Sequence, residues 1–281
     1  RQTKESGILI NATTIRNNIS SNLIDFKFEN FSDIKILSDG FDIQEAIESS
    51  YNLNGKENII IIVRSNKRAN QYNQQIRKTI LSHENKVCVG DLLMITKNNY
   101  FWTSPDSEIP FLANGDIIQI LEIFSIKELY GFEFAEVKIK MVDYIDQPTF
   151  DTVIILNTLD LDTPSLSYEQ SNLLYNEVQN DYIKIKSKYQ RFLKTKENPF
   201  FNALQVKFSY AITCHKAQGG QWPVVFIEKP YLKDGSNIDY LRWLYTAVTR
   251  AALNLSIHPT ETYDDKKIFK MEDRDLVSLY H

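Results

Sequence analysis

The sequence predicts an α/β protein whose mostly parallel sheet is interrupted, along the chain, by a small antiparallel β-barrel. Continuous apolar runs at 59–63 and 224–227 are typical of strands buried on both faces. Segments with apolar residues at helical spacing accompany these runs, as in proteins with parallel sheets. From residue 87 the pattern changes to short β segments divided by turn residues, which predicts the barrel.

The first part of the chain is expected to alternate helices and strands. Apolar residues recur every three or four positions over 7–24 and again over 41–50, and a short strand is expected within 31–40. A long helix should follow the strand at 59–63. This order indicates a sheet built from parallel strands with helical connections.

Arg64, Ser65 and Asn66 directly follow the strand at 59–63. In parallel sheets, ligands bind beyond the carboxyl ends of the strands, so Arg64 and Asn66 are candidates for contacting a ligand. The alternative is that these two residues only cap the helix that follows.

The insertion covers residues 86–197, and its barrel covers about 86–150. In the β segment at 134–142, apolar and polar residues alternate strictly, which predicts that one face of the segment is buried. Tyr100, Phe101 and Trp102 form an aromatic triplet whose rings could stack on a planar ligand. Such clusters also close barrel cores, so both interpretations stay open.

The insertion ends in a helical arm at about 165–197, with an apolar stripe on one face and lysine and arginine residues on the other. The cationic face could meet phosphates, although a solvated face is the ordinary outcome. An Asn-Pro pair then returns the chain to the α/β domain, which comprises residues 1–85 and 198–281. The polar tail after residue 258 is expected to be a terminal helix or partly disordered.

Length and composition bound the function. The 281 residues suit one or two domains, and a net charge of −4 means that DNA binding would need a local cationic patch. The sequence has no apolar run long enough for a membrane span and no signal segment. Two widely separated cysteines favour the reducing cytoplasm. Dispersed histidines, and cysteines that are not at ligand spacing, argue against a metalloenzyme.

A polar loop between two apolar runs carries most of the candidate residues. The run at 206–212 is expected to form the strand before the loop, and the run at 224–227 the strand after it. The residues between them that could bind an anion are Thr213, His215, Lys216, Gly219, Gly220 and Gln221. The adjacent glycines allow backbone N–H groups to approach such an anion closely.

A second candidate stretch follows about twenty residues later. Apolar residues at helical spacing predict a helix that ends near Arg250, and a short β-like run follows it. An isolated arginine at a helix end is ordinarily solvated or caps the helix.

Together the two stretches, AITCHKAQGGQW at 211–222 and LYTAVTRA at 244–251, resemble motifs V and VI of superfamily 1 DNA helicases of the RecD-like branch. The segment at 59–73 resembles motif IVa, and the opening twelve residues resemble motif IV from its arginine onward. GDLLMITKNN and LANGDIIQI in the barrel resemble the SH3-like insertion of these helicases.

The resemblance implies a RecA-like parallel sheet of the P-loop-NTPase type, namely the second motor domain of an ATP-dependent helicase that translocates on single-stranded DNA. The chain has no GxxxxGK[ST] motif and no paired acids of a Walker B site, so alone it should not hydrolyse ATP. Its start inside a motif suggests a fragment. ATP would lie in a cleft shared with the missing N-terminal RecA-like domain, which would hold Mg²⁺.

The resemblance also assigns roles to residues. Arg1 and Arg250 match the motif arginines that act as arginine fingers on the γ-phosphate, and such fingers can contribute about 10³–10⁵ in rate. The Gly219–Gln221 segment would contact the nucleotide. Thr213, His215 and Lys216 would hold the DNA backbone, and Arg64 and Asn66 would also contact DNA. In these helicases the insertion lies against single-stranded DNA, so the aromatic triplet, Trp102 included, would stack on its bases unless it belongs to the core.

Two alternatives to the motor are kept. The chain could be a helicase-like subunit of an exonuclease complex, with a nuclease or other DNA-repair partner, since it shows no nuclease cluster of carboxylates and lysine itself. It could also be a non-catalytic nucleic-acid-binding module.

Overall fold

A computed structural model describes residues 6–107, 109–144, 146, 148–233 and 235–259. The chain forms two compact units: a sheet unit, up to Leu81 and from Tyr210 onward, and a barrel unit, Ser82–Ser209. The sheet unit contains a parallel sheet and the barrel unit a closed five-stranded barrel, so the predicted fold class is confirmed.

The helices and strands are numbered in chain order. The helices are α1 (Gly7–Ser20), α2 (Gly40–Asn54), α3 (Asn66–Gln75), α4 (Tyr168–Asp181), α5 (Lys188–Lys196) and α6 (Ile238–Val248). The strands are β1 (Ile34–Ile36), β2 (Ile59–Val63), β3 (Leu92–Ile95), β4 (Ile117–Leu129), β5 (Phe132–Met141), β6 (Thr149–Ile155), β7 (Leu204–Phe208), β8 (Ala211–Thr213), β9 (Trp222–Lys229) and β10 (Ala251–Pro259).

Each of the six helices begins after a short polar side chain that accepts a hydrogen bond from a backbone N–H group of the first turn. These caps are Ser6, Asp39, Ser65, Ser167, Ser187 and Asn237. Each cap satisfies a donor that the helix itself leaves without a partner, which explains why the helices start where they do. No described helix combines the length and the apolar character that crossing a membrane requires.

The sheet has the strand order β1-β10-β9-β2-β8, and every neighbouring pair is parallel. All five residues of β2 are buried, because β2 lies between β9 and β8 and helices cover the sheet. The edge strand β8 is held by α3 through Asn73. The side-chain amide of Asn73 donates to the carbonyl of Ala211 (2.9 Å) and accepts from its N–H group (2.8 Å).

The barrel closes in the order β3-β4-β5-β6-β7. Four of its pairings are antiparallel, as predicted, but β6 and β7 pair in parallel. Strand β7 therefore belongs to the barrel, and it also pairs with β3. Strand β6 was not among the predicted barrel segments.

The apolar run at 206–212 is two strands rather than one. Its first part continues β7 in the barrel, and its second part is β8 in the sheet, with Ser209 and Tyr210 between them. The chain consequently enters the sheet unit at Tyr210, twelve residues later than the predicted boundary at 198. Apolar residues continue from β7 through Tyr210 into β8, so composition does not show where the barrel ends and the sheet begins.

The predicted helical arm is also divided. Helices α4 and α5 are separated by residues 182–187, where Ser187 starts the second helix. Leu174 and Val178 of α4 pack on the barrel core around Phe132 and Phe134. The predicted features of the tail after Pro259 lie outside the described residues.

Candidate nucleotide and nucleic-acid sites

The candidate residues of the sheet unit fall into two groups at opposite edges of the sheet. Val63 and Thr213 are register partners at the carboxyl ends of β2 and β8. Trp222 and Ala251 are register partners at the amino ends of β9 and β10. The loop at 214–221, here called the knot, therefore starts at the carboxyl edge and ends at the amino edge.

The carboxyl-edge group contains the predicted DNA-binding residues of the sheet unit. These are Arg64, Asn66, Thr213, His215 and Lys216. Arg64 and His215 are exposed, and the other three are partly buried. Burial lowers the pKa of the Lys216 ammonium.

The capping alternative for Arg64 and Asn66 is wrong. Ser65 caps α3, because its hydroxyl accepts the backbone N–H of Arg68 at 3.2 Å. Asn66 is the first residue of the helix, and Arg64 precedes the cap with its side chain in solvent. This leaves the Arg64 guanidinium available at the carboxyl end of β2.

A buried ion pair supports this edge of the sheet. The Nε atom of Arg68 lies 3.1 Å from Oε2 of Glu228, and a second guanidinium nitrogen contacts the other carboxylate oxygen. The Tyr72 hydroxyl donates to the same carboxylate at 3.3 Å. Burial and the Glu228 charge both raise the pKa of Tyr72. The network ties α3 to β9, and sequence analysis missed it because 160 residues separate Arg68 from Glu228.

The amino-edge group contains Arg250 and the Gly219–Gln221 segment. The Arg250 side chain donates to the carbonyl oxygens of Thr246 (3.1 Å) and Gly220 (3.0 Å), and to the Thr249 hydroxyl (3.0 Å). It thereby caps α6 and fixes the end of the knot. A guanidinium has five N–H donors, so two remain after these three bonds.

The two glycines are required for different reasons. Gly219 has a φ of +90°, which glycine adopts without strain. Gly220 lies against the Trp222 ring, and a Cβ atom there would come within 2.4 Å of a ring carbon. Gln221 follows with an exposed side chain. The glycines thus let the knot turn tightly onto Trp222.

A cavity of about 440 Å³ lies beside the amino-edge group. Its lining includes Gln221 and Thr249, and the Thr13 and Arg16 side chains of α1. Sequence analysis missed Arg16, although its spacing of three residues from Thr13 places both on one helix face. The other motif arginine, Arg1, lies outside the described residues.

The aromatic triplet is divided between two cavities of the barrel unit. Tyr100 and Phe101 are exposed and line a cavity of about 400 Å³ together with Lys97 and Lys196, here called the lysine groove. Trp102 is half-buried and lines a different cavity, of about 670 Å³.

The environment of Trp102 matches the core interpretation better than the base-stacking one. Its indole N–H donates to the carbonyl of Asn202 at 2.9 Å. Its ring packs against the barrel core around Phe132. Tyr100 and Phe101 are exposed, as base stacking requires, although one face of Tyr100 is taken by stacking on Phe111.

One group of possible metal ligands occurs in the described part of the chain. Ligand atoms of His83, Cys88 and Asp91 lie within 4.8 Å of one another. Asp91 is fully buried and accepts the backbone N–H of Cys88 (2.8 Å), and it also pairs with His83 Nδ1 at 2.8 Å. These contacts suffice to hold the loop before β3.

Comparison with known proteins gives one family match. Residues 208–257 match the model of the UvrD-like helicase C-terminal domain, a segment that contains the knot, α6 and Arg250. The match supports a helicase motor domain of superfamily 1 over this segment. No curated protein matches the chain.

Solved structures of Pif1 helicases are similar to the chain. The Pif1 helicase from Bacteroides, in complex with ADP-AlF3 and ssDNA, has 13% identity and a TM-score of 0.34, over 96% of this chain and 52% of that one. The Pif1 helicase from Candida albicans has 11% identity and a TM-score of 0.33, over 94% and 55%. The chain spans about half the length of these structures, and the RecD-like branch stays a prediction.

Proposed function

We propose that this chain is the C-terminal motor domain of an ATP-dependent helicase that moves along single-stranded DNA. The observation that carries the proposal is the knot, a single short loop that joins the two groups of candidate residues. One end follows Thr213 in the proposed DNA-binding group, and the other precedes Trp222 beside Arg250. A displacement of the loop by nucleotide would therefore reach the residues that grip DNA.

The amino-edge group suits a polyphosphate. Arg250 keeps two free donors, Gln221 offers an exposed amide, and the adjacent cavity has Arg16 in its lining. Planar guanidinium groups bind phosphate oxygens through paired hydrogen bonds. No described residue lining this cavity is acidic, so Mg²⁺ would be held by the N-terminal RecA-like domain.

In this proposal Arg250 exchanges partners during the cycle. Its bond to the Gly220 carbonyl holds the knot when no phosphate is near. A γ-phosphate from the partner domain would draw the guanidinium away from Gly220, and the end of the knot would be released. Arg1, by resemblance, would be the second finger on that phosphate.

The carboxyl-edge group suits the phosphate backbone of DNA. Arg64, His215 and Lys216 can supply positive charge or hydrogen-bond donors, and Thr213 and Asn66 can supply uncharged donors. The lysine groove of the barrel unit adds aromatic faces for bases. Contacts to the backbone carry no sequence information, as a protein that moves along a strand requires.

ATP hydrolysis tests the proposal directly. The chain would be compared with a version extended N-terminally to its native start, each with and without oligo-dT. We expect hydrolysis only from the extended form, and stimulation by DNA. Absence of hydrolysis from both forms would contradict the motor.

Arg250→Ala in the extended form tests the finger. We expect hydrolysis to fall by about 10³-fold or more, with DNA affinity largely unchanged. Arg242→Ala is the matched control, because Arg242 lies on α6, which ends just before Arg250, is exposed and, among the described residues, forms its ion pair with nearby Asp239. It should hydrolyse ATP at the normal rate.

A non-catalytic nucleic-acid-binding module is the second candidate. The three internal hydrogen bonds of Arg250 favour it, since they explain the residue without a nucleotide. In that case neither the extended form nor its Arg242→Ala control would hydrolyse ATP, and Arg250→Ala would lower only the stability of the fold.

A further inference from the structure

The cavity of about 670 Å³ beside Trp102 has a chemistry that the helicase proposal does not use. Three aromatic rings line it, those of Trp102, Tyr144 and Phe150. Two carboxylates, Asp143 and Asp146, also line it. None of its described lining residues is lysine or arginine.

The carboxylates of this cavity have no cationic partner among the residues that the structure describes. None of the ion pairs among the described residues includes Asp143 or Asp146. Asp143 accepts one backbone N–H, from Ile117 at 3.3 Å. Both side chains reach solvent at the mouth of the cavity. Partial desolvation raises the pKa of Asp143, and the charge of nearby Asp116 raises it further. The cavity thus carries negative charge that no cationic side chain among the described residues neutralises.

The rings and one hydroxyl add to this arrangement. Trp102 is held by its bond to the Asn202 carbonyl and by an edge-to-face contact with Phe101, so the part of the ring that lines the cavity keeps a defined orientation. Aromatic faces attract cations, most strongly where water is partly excluded. The Oγ1 atom of Thr103, another lining residue, is buried and has no hydrogen-bond partner among the described residues.

We propose that this cavity, here called the carboxylate cavity, binds the guanidinium group of an arginine side chain from a partner protein. A guanidinium is planar, stacks on aromatic rings and donates paired hydrogen bonds to a carboxylate. The volume lies within the range of small-ligand sites, about 300–1,000 Å³, and leaves room for the residues beside the arginine.

Other occupants fit less well. A metal ion would need converging ligands, and within the described chain the group of three that converges is His83, Cys88 and Asp91, which does not line this cavity. Phosphates of a nucleic acid would be repelled by Asp143 and Asp146. A neutral apolar ligand would leave both carboxylates without a partner.

The test uses the full chain and a blocked tripeptide, acetyl-Gly-Arg-Gly-amide. The matched probe has citrulline in place of arginine, which keeps the shape and removes the charge. Binding is followed by the NMR signal of the Trp102 indole N–H, assigned with Trp102→Phe among the three tryptophans. We expect the arginine peptide to shift this signal with saturation, and the citrulline peptide to bind at least tenfold more weakly.

Two variants locate the interaction. Asp143→Asn and Asp146→Asn should each weaken binding of the arginine peptide severalfold, and the double variant at least tenfold. Asp106→Asn is the matched control, since Asp106 is exposed and is not among the described lining residues. It should bind like the unchanged chain, and the circular dichroism of each variant reports whether its fold is intact.

Three results would overturn the proposal. The first is equal binding of the two peptides, which would indicate an apolar pocket. The second is equal binding by the Asp143→Asn, Asp146→Asn double variant and the Asp106→Asn control. The third is a shift of the Trp102 signal by oligo-dT but not by the arginine peptide, which would indicate that the cavity binds nucleic acid. None of these results depends on ATP hydrolysis, so the helicase proposal can fail separately.

Discussion

The lysine groove and the carboxylate cavity share one aromatic triplet but have opposite charge. Tyr100 and Phe101 line the groove together with Lys97 and Lys196, whereas Trp102 lines the other cavity together with Asp143 and Asp146. Aromatic rings offer a similar surface to a base and to a guanidinium, because both stack. The charged neighbours therefore decide which ligand each cavity takes, and these neighbours come from other parts of the chain.

Replacing Trp102 or Tyr100 with alanine should separate the roles of the two cavities most clearly. We expect Trp102→Ala to lower the free energy of unfolding by about 3 kcal/mol, because a large ring is removed from the edge of a core. Its effect on binding of single-stranded DNA should be small. Tyr100→Ala should do the reverse and weaken DNA binding by about 1–3 kcal/mol, the usual contribution of one stacked base.

Urea denaturation and fluorescence anisotropy with oligo-dT measure these two effects. The phenol of Tyr100 stacks on Phe111 at 5.0 Å and is otherwise exposed, so its loss should change stability little. A large loss of DNA affinity in Trp102→Ala, with normal stability, would show that the two cavities do not differ in the proposed way.

Charge reversal in the lysine groove should have the next largest effect. Lys97→Glu together with Lys196→Glu should weaken binding of oligo-dT about tenfold or more. The slope of log affinity against log salt should fall by about 1.4, because each lost phosphate contact removes about 0.7. Anisotropy titrations at several salt concentrations give both quantities.

The helical arm provides the matched control for that experiment. Lys184 and Lys188 are exposed and do not line the groove, so replacing both with glutamate changes the net charge equally. An equal loss of affinity in this control would show that net charge, or the cationic face of the arm, governs binding rather than the groove.

The two cavities also show what sequence analysis can predict. The parallel sheet could be predicted because strands buried on both faces, such as β2, are continuous apolar runs. The barrel could be predicted because its short strands, separated by turns, are buried on one face and alternate apolar and polar residues. The sequence does not predict that the aromatic triplet is divided between two cavities. That division depends on the hydrogen bond from the Trp102 indole to the Asn202 carbonyl, 100 residues away along the chain.

The candidate site was predictable to a similar degree. The motif residues around the knot could be named from the sequence, and Arg250 could be expected at the end of α6. Its bond to the Gly220 carbonyl, and the cap formed by Ser65 rather than by its neighbours, are fixed by hydrogen bonds of the folded backbone. Ser and Asn are about equally good caps, so residue type alone does not choose between Ser65 and Asn66, and it does not show a bond between residues 30 positions apart.

The smallest expected effect is on the stability of the folded chain, through Asp143 in the carboxylate cavity. The pKa of Asp143 is raised in the folded chain above its usual value near 3.8, because partial desolvation disfavours the charged form even though the residue stays exposed. The folded chain therefore holds this proton more tightly than the unfolded chain, and stability falls as the pH rises from about 4 through the raised pKa. Asp143→Asn should remove this loss and make the chain modestly more stable at pH 7.

Urea denaturation at pH 4 and pH 7 measures the difference, with Asp106→Asn as the control. A lower stability of Asp143→Asn at pH 7 would mean that the carboxylate is compensated within the fold, and the cavity would then have no unpaired charge to offer a guanidinium.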